Sequence, residues 1–96
     1  MIILNNNVLS KVESLSNQII EWRRELHKHP ELSFQEYNSA RFIANQLSTI
    51  KNVKVEVGVG LPTAVIGTLS KGIGPTIAIR ADIDALPIDE ENEVPY

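Results

Sequence analysis

Along this chain the spacing of apolar residues changes once, from every third or fourth position to every second, and that change restricts the fold more than any other feature. Between residues 8 and 29, Val8, Val12, Leu15, Ile19, Trp22 and Leu26 recur at intervals of three and four, the stripe of an amphipathic helix. Ser10 followed by Glu13 has the form of a capping box, and Pro30 closes the helix because the residue before a proline is pushed out of helical space. A second box, Ser33-Phe34-Gln35-Glu36, opens a run over residues 34–48 with Phe34, Tyr37, Ala40, Ile43, Ala44 and Leu47 on one side and Phe42 at its edge. Beyond it Val53, Val55 and Val57 alternate with Lys54 and Glu56, which predicts a strand with one wet face. Gly58-Val-Gly60-Leu-Pro62 supplies turn chemistry, and residues 63–69 read as an antiparallel return strand. After the turn Lys71-Gly-Ile-Gly-Pro75, residues 76–79 are apolar on both faces, as an interior strand of a layered sheet would be. The prediction is α/β: two N-terminal helices, a β-hairpin and an interior strand, followed by a loop over residues 88–96.

An interior strand needs cover on its second face, normally from a right-handed crossover. No stretch after Pro87 is long or apolar enough to be that crossover, so the pattern reads as the incomplete start of a larger domain. Length agrees, since 96 residues, 43% of them hydrophobic, make one domain at most and can bury only a small core. Nine Lys and Arg stand against twelve Asp and Glu, and no basic residue lies between Asp82 and Tyr96, which argues against a nucleic-acid partner. The absence of cysteine excludes a disulfide framework, a thiolate metal site and a thiol nucleophile. The apolar start Met1-Ile-Ile-Leu has no basic flank and is too short for a signal peptide, and no apolar run approaches a membrane span, so a cytoplasmic location is expected.

Chemistry concentrates in Arg80-Ala-Asp-Ile-Asp-Ala-Leu-Pro87. If this segment is extended, Arg80, Asp82 and Asp84 project to one side, with the two carboxylates about 7 Å apart. The carboxyl end of an interior strand is where open α/β sheets bind ligands, and paired carboxylates there suit a divalent metal or the orientation of a metal-bound histidine. The alternative is an Arg80–Asp82 pair with Asp84 as a turn or helix-cap residue. His27 and His29, two apart, lie about 200° around a helix and cannot chelate together; they suit its C-terminus instead. Gly58-x-Gly60 with Gly67 lacks the spacing of a phosphate loop, which removes a small nucleotide-binding domain from consideration. Arg23-Arg24 with Lys28 read as a solvated helix face, and Trp22, Phe34 and Phe42 as core.

Four strings together carry a resemblance: Trp22-Arg-Arg-Glu-Leu-His-Lys-His-Pro-Glu-Leu32, Gly58-Val-Gly60 with Thr63, Gly74-Pro-Thr-Ile-Ala-Ile-Arg-Ala-Asp-Ile-Asp-Ala-Leu-Pro-Ile88, and Val94-Pro-Tyr96. In this order and spacing they resemble the opening of bacterial metal-dependent amidohydrolases, a family of aminoacylases, hippurate hydrolases, N-acetyl-diaminopimelate deacetylases and indole-acetyl-amino-acid hydrolases. The resemblance implies a longer enzyme with a three-layer α/β/α zinc-peptidase-like catalytic domain and a smaller lid domain. It also implies two divalent ions (zinc, manganese, cobalt or nickel) that polarise the amide carbonyl and activate water, with a glutamate as general base. The family's first ligand motif, His-Ala-Cys-Gly-His-Asp, and the Glu-Glu pair that follows that motif in the family have no counterpart in these residues. Only Asp82 and Asp84 match the site region, as supporting carboxylates near the metal pocket, so no catalytic group and no direct metal ligand is assigned.

Residues 1–96 are accordingly expected to be a partial catalytic domain of an amidohydrolase that hydrolyses N-acyl amino acids to a carboxylate and a free amino acid. By themselves they are expected to be inactive, to bind no metal and to self-associate through uncovered apolar surface. The competing class is a stand-alone, non-catalytic α/β interaction module.

Overall fold

In a computed structural model, which describes residues 6–96, the chain forms three helices and one two-stranded antiparallel sheet, an α/β arrangement as predicted. The elements run α1 (Asn6–Ser14), α2 (Ser16–Lys28), α3 (Tyr37–Ser48), β1 (Val53–Val57) and β2 (Val65–Leu69). They fall into two compact units, one of residues up to His29 together with Asn92–Tyr96, the other Pro30–Glu91. Among the described residues no helix is long and apolar enough to cross a membrane. The apolar start Met1-Ile-Ile-Leu lies outside them.

In the first unit, the single helix expected over residues 8–29 is divided at Leu15, whose φ and ψ are −92° and −4°. The cause is local. The Ser14 hydroxyl donates to the Lys11 carbonyl at 2.6 Å, the acceptor that the Leu15 amide would use in a continuous α-helix. Leu15 instead donates to Val12 at 3.1 Å, and the helical pattern resumes with Ile19 donating to Leu15 at 3.0 Å. The Ser10–Glu13 box caps nothing, because α1 is already running at Asn6. Trp22 and Leu26 are half-buried, while Val8, Val12, Leu15 and Ile19 stay exposed, so only the C-terminal part of the stripe is covered.

The second unit departs from expectation at the start of α3. The helix begins at Tyr37 rather than at residue 34, and the Ser33–Glu36 capping box does not form. Phe34 sits in the left-handed region at φ 67°, an uncommon place for a residue with a Cβ, and it is exposed rather than in the core. The first-turn amides of α3 find their acceptor outside the local sequence: the Glu31 carboxylate takes hydrogen bonds from the Ser39 amide and, at 3.2 Å, from the Asn38 amide. These two donors would otherwise be orphans of the helix terminus, and the negative charge meets the positive end of the helix dipole.

From α3 the chain turns through Asn52, at φ 67°, into β1. The hairpin pairs Val53 with Leu69 at one end and Val57 with Val65 at the other. Gly58 and Gly60, at φ 83° and 80°, shape its loop, where the Gly58 amide donates to Ala64 at 2.8 Å. Ala40 and Ala44 of α3 are the buried apolar centre of this unit. Gly67 lets the helix approach the sheet: a Cβ built there would lie 3.2 Å from Leu47 Cδ1 and 3.4 Å from Val53 Cγ1.

Residues 76–79 do not form the expected strand; Ile77 and Ile79 are 87% and 95% exposed. Their pattern anticipates a ladder partner and cover on two faces, and among the described residues the sheet holds β1 and β2 alone. An apolar, β-branched sequence has no strand to be without a neighbour. Gly67→Val should force Leu47 and Val53 apart and destabilise the hairpin–α3 packing by about 1–3 kcal/mol, read as a lowered denaturation midpoint by circular dichroism. An unchanged midpoint would show that the close approach is not limiting.

Candidate functional site

The loop that precedes α3 and the Arg80-Ala-Asp-Ile-Asp84 segment run beside each other within the second unit. Two hydrogen bonds fasten them: the Ala85 amide donates to the Glu31 carbonyl at 2.7 Å, and the Ser33 hydroxyl donates to Asp84 Oδ2 at 2.5 Å. Glu36, buried at 7% exposure, holds the far end of the loop. Its Oε1 accepts the Phe34 amide at 2.7 Å, and its Oε2 accepts the buried Thr63 hydroxyl, from the start of the return segment, at 2.6 Å. A buried carboxylate is costly unless it is hydrogen-bonded, and here both oxygens are.

These residues border a cleft of about 370 Å³, lined on the polar side by Ser33, Glu36, Thr63, Arg80, Asp82 and Asp84 and on the apolar side by Ile43, Leu61 and Ile83. The structure brings Asp82 and Asp84 to one cleft, together with the Ile83 between them, so the lining does not divide along the alternation of an extended strand, and the segment is not a strand. Arg80 donates to Asp82 Oδ1 at 2.7 Å, an exposed pair as the second reading of this segment anticipates. Asp84 accepts from Ser33 and caps no helix. Among the described residues no three His, Asp or Glu side chains come together as a cation site. The carboxylates face separate donors, so these residues alone do not fit the pair of divalent ions that the resemblance implies.

In the first unit, His27 and His29 have separate neighbours, as their spacing requires. The His27 ring meets the Tyr96 ring edge-on at 5.9 Å, and His29 Nε2 lies 3.5 Å from Glu25 at the C-terminal end of α2. Arg24 is not simply solvated: its guanidinium stacks 4.3 Å from the Tyr96 ring centroid, a cation–π contact.

Two residues that organise the cleft escape a reading by local motif. Glu31 acts on amides seven and eight residues ahead, beyond the reach of a capping box, and Ser33 acts on a residue fifty-one positions away. Partial burial works to raise the Glu31 pKa, but hydrogen bonds from the side chain and amide of Ser39 and from Asn38 outweigh it and hold the carboxyl below its ordinary value of 4.5.

Over 86 residues the chain is 44% identical to thermostable carboxypeptidase 1 of Saccharolobus solfataricus, a match covering 88% of this chain and 22% of that protein. It is 44% identical over 82 residues to an N-acyl-L-amino acid amidohydrolase of Geobacillus stearothermophilus, covering 84% of this chain and 22% of the relative. It is 51% identical over 78 residues to an uncharacterized hydrolase of Staphylococcus saprophyticus, covering 81% and 20%. No family model and no solved structure matches it. The chain is thus homologous over most of its own length to proteins named as a carboxypeptidase, an N-acyl-L-amino acid amidohydrolase and a hydrolase, which is consistent with the resemblance its motifs carry, and it spans about a fifth of the length of the curated relatives it matches.

Because the Glu31 pKa is lowered on folding, its contribution to stability is present above 4.5 and is lost as pH falls through the folded value. Acid titration of the helical signal should show α3 loosening below pH 4.5, and Glu31→Gln should flatten that dependence while lowering stability near neutral pH. An identical acid profile in the variant would mean that another group governs it.

Proposed function

We propose that the whole protein hydrolyses N-acyl amino acids at the amide bond, releasing a carboxylate and a free amino acid. The observation that carries this reading is the 44% identity to an N-acyl-L-amino acid amidohydrolase. The paired carboxylates of Asp82 and Asp84 on one cleft support it. In the reaction the amide C–N bond breaks, the water oxygen joins the acyl carbon and a proton goes to the leaving nitrogen. Asp84, held through one oxygen by Ser33, is placed to accept a hydrogen bond from, and so orient, a neutral or cationic group in the cleft. Asp82, neutralised by Arg80, contributes less charge there.

The two divalent ions belong to this proposal for the whole protein, where they would supply carbonyl polarisation and water activation. Residues 6–96 offer no ligand set of their own for them. A small-molecule substrate and a cytoplasmic location belong to the same proposal.

A second reading, a non-catalytic interaction module, is favoured by one observation: Ile73, Ile77 and Ile79 are almost fully exposed. The two readings separate experimentally. The 96-residue chain by itself should release no amino acid from N-acetyl amino acids above a no-protein control, and should elute larger than a monomer in size-exclusion chromatography. Metal-dependent turnover by the purified 96 residues would overturn the first expectation, and a monomer with a sharp thermal transition the second.

In the whole protein, Asp84→Asn should lower activity or metal affinity by at least about tenfold while thermal stability changes little. Wild-type turnover and metal content in that variant would leave Asp84 as a structural acceptor for Ser33 only.

A further inference from the structure

The loop between Pro30 and α3 is held from both ends, and its middle is strained. At one end Glu31 is committed to the first-turn amides of α3 through its carboxylate and to Ala85 through its carbonyl. At the other, Glu36 is committed to Thr63. Between them Phe34 is forced to φ 67°, kept there by its amide's hydrogen bond to Glu36 Oε1. A non-glycine residue stays in that region only where its surroundings over-determine it. The residue next to this turn is Ser33, and its hydroxyl reaches Asp84 Oδ2. A serine hydroxyl has one proton to donate, and here it goes to the carboxylate.

We infer that Ser33 is a positioning residue for Asp84 in the proposed hydrolase, an inference that rests on that reading. The Ser33 hydroxyl restrains the rotation of the Asp84 carboxylate by occupying Oδ2, which leaves Oδ1 as the oxygen available to accept from a group in the cleft. The Ala85–Glu31 hydrogen bond fixes the backbone beside Asp84, so the side-chain torsions are the freedom left for Ser33 to remove. Loss of the hydroxyl would leave the fold and the charge in place and release the orientation. The effect should therefore fall on turnover rather than on substrate binding.

The test is a cycle of Ser33→Ala and Asp84→Asn in the whole protein, with Ser33→Thr as the conservative variant. Ser33→Ala should lower kcat about tenfold with KM nearly unchanged, and Ser33→Thr, which keeps a hydroxyl, should restore most of it. In the Asp84→Asn background Ser33→Ala should cost little more, because the group it orients has already lost its charge. An equal loss in both backgrounds would overturn the inference, since Ser33 would then act independently of Asp84. Wild-type kcat in Ser33→Ala would overturn it as well. A wild-type protein without activity on N-acyl amino acids would overturn the proposed function itself, a result distinct from either.

Discussion

The buried carboxylate of Glu36 organises the unit from Pro30 to Glu91. Its two oxygens take two donors from separate parts of the unit, the amide of a strained loop residue and a hydroxyl buried at the start of the hairpin's return segment. Removal of Glu36 or Thr63 would leave the other as a buried polar group without its partner, a cost of about 1–3 kcal/mol in a unit whose buried apolar centre is two alanines. The link spans twenty-seven residues and joins helix, loop and hairpin where apolar burial alone is thin.

From that anchor the rest of the cleft follows. With Glu36 fixed, the loop must pass through the left-handed conformation at Phe34, and Glu31 and Ser33 come to lie against residues 84 and 85. Each acidic side chain of the cleft then has its own donor: Glu36 has Phe34 and Thr63, Asp84 has Ser33, Asp82 has Arg80. Like charges that gather without such donors repel, and the division lets three carboxylates share a cleft of about 370 Å³. It also accounts for the lack of a cation cage among the described residues.

What could be read in the sequence divides along the same line between local and distant interactions. The alternation of Val53, Val55 and Val57 and the glycines of the following loop express the hairpin within one short stretch, and its antiparallel pairing agrees. The sequence marked out residues 80–84 as the polar segment that borders the cleft, but Ile83 lines it beside Asp82 and Asp84, so a two-residue repeat does not describe the segment, which has no ladder to hold it extended. The start of α3 was not legible, because Ser33 and Glu36 fit a capping box yet both found stronger partners far along the chain, Asp84 and Thr63. The break at Leu15 escaped for a smaller reason, one serine hydroxyl competing for one carbonyl within an otherwise unbroken stripe. At residues 76–79 the pattern describes cover that the described residues do not provide, so propensity and observed conformation part. The family resemblance rested on motifs rather than on any of these elements, and identities of 44–51% to hydrolases agree with it.

The coupling between Glu36 and Thr63 measures the anchor itself. Stability should be determined by chemical denaturation for the parent, Glu36→Gln, Thr63→Val and the double variant, with the cycle closed on the four values. If the buried hydrogen bond holds helix, loop and hairpin together, the two substitutions should be non-additive by about 1–3 kcal/mol, the second costing little once the first is made. Additive losses to within about 0.3–0.5 kcal/mol would contradict the account, because Glu36 and Thr63 would then stabilise the fold independently.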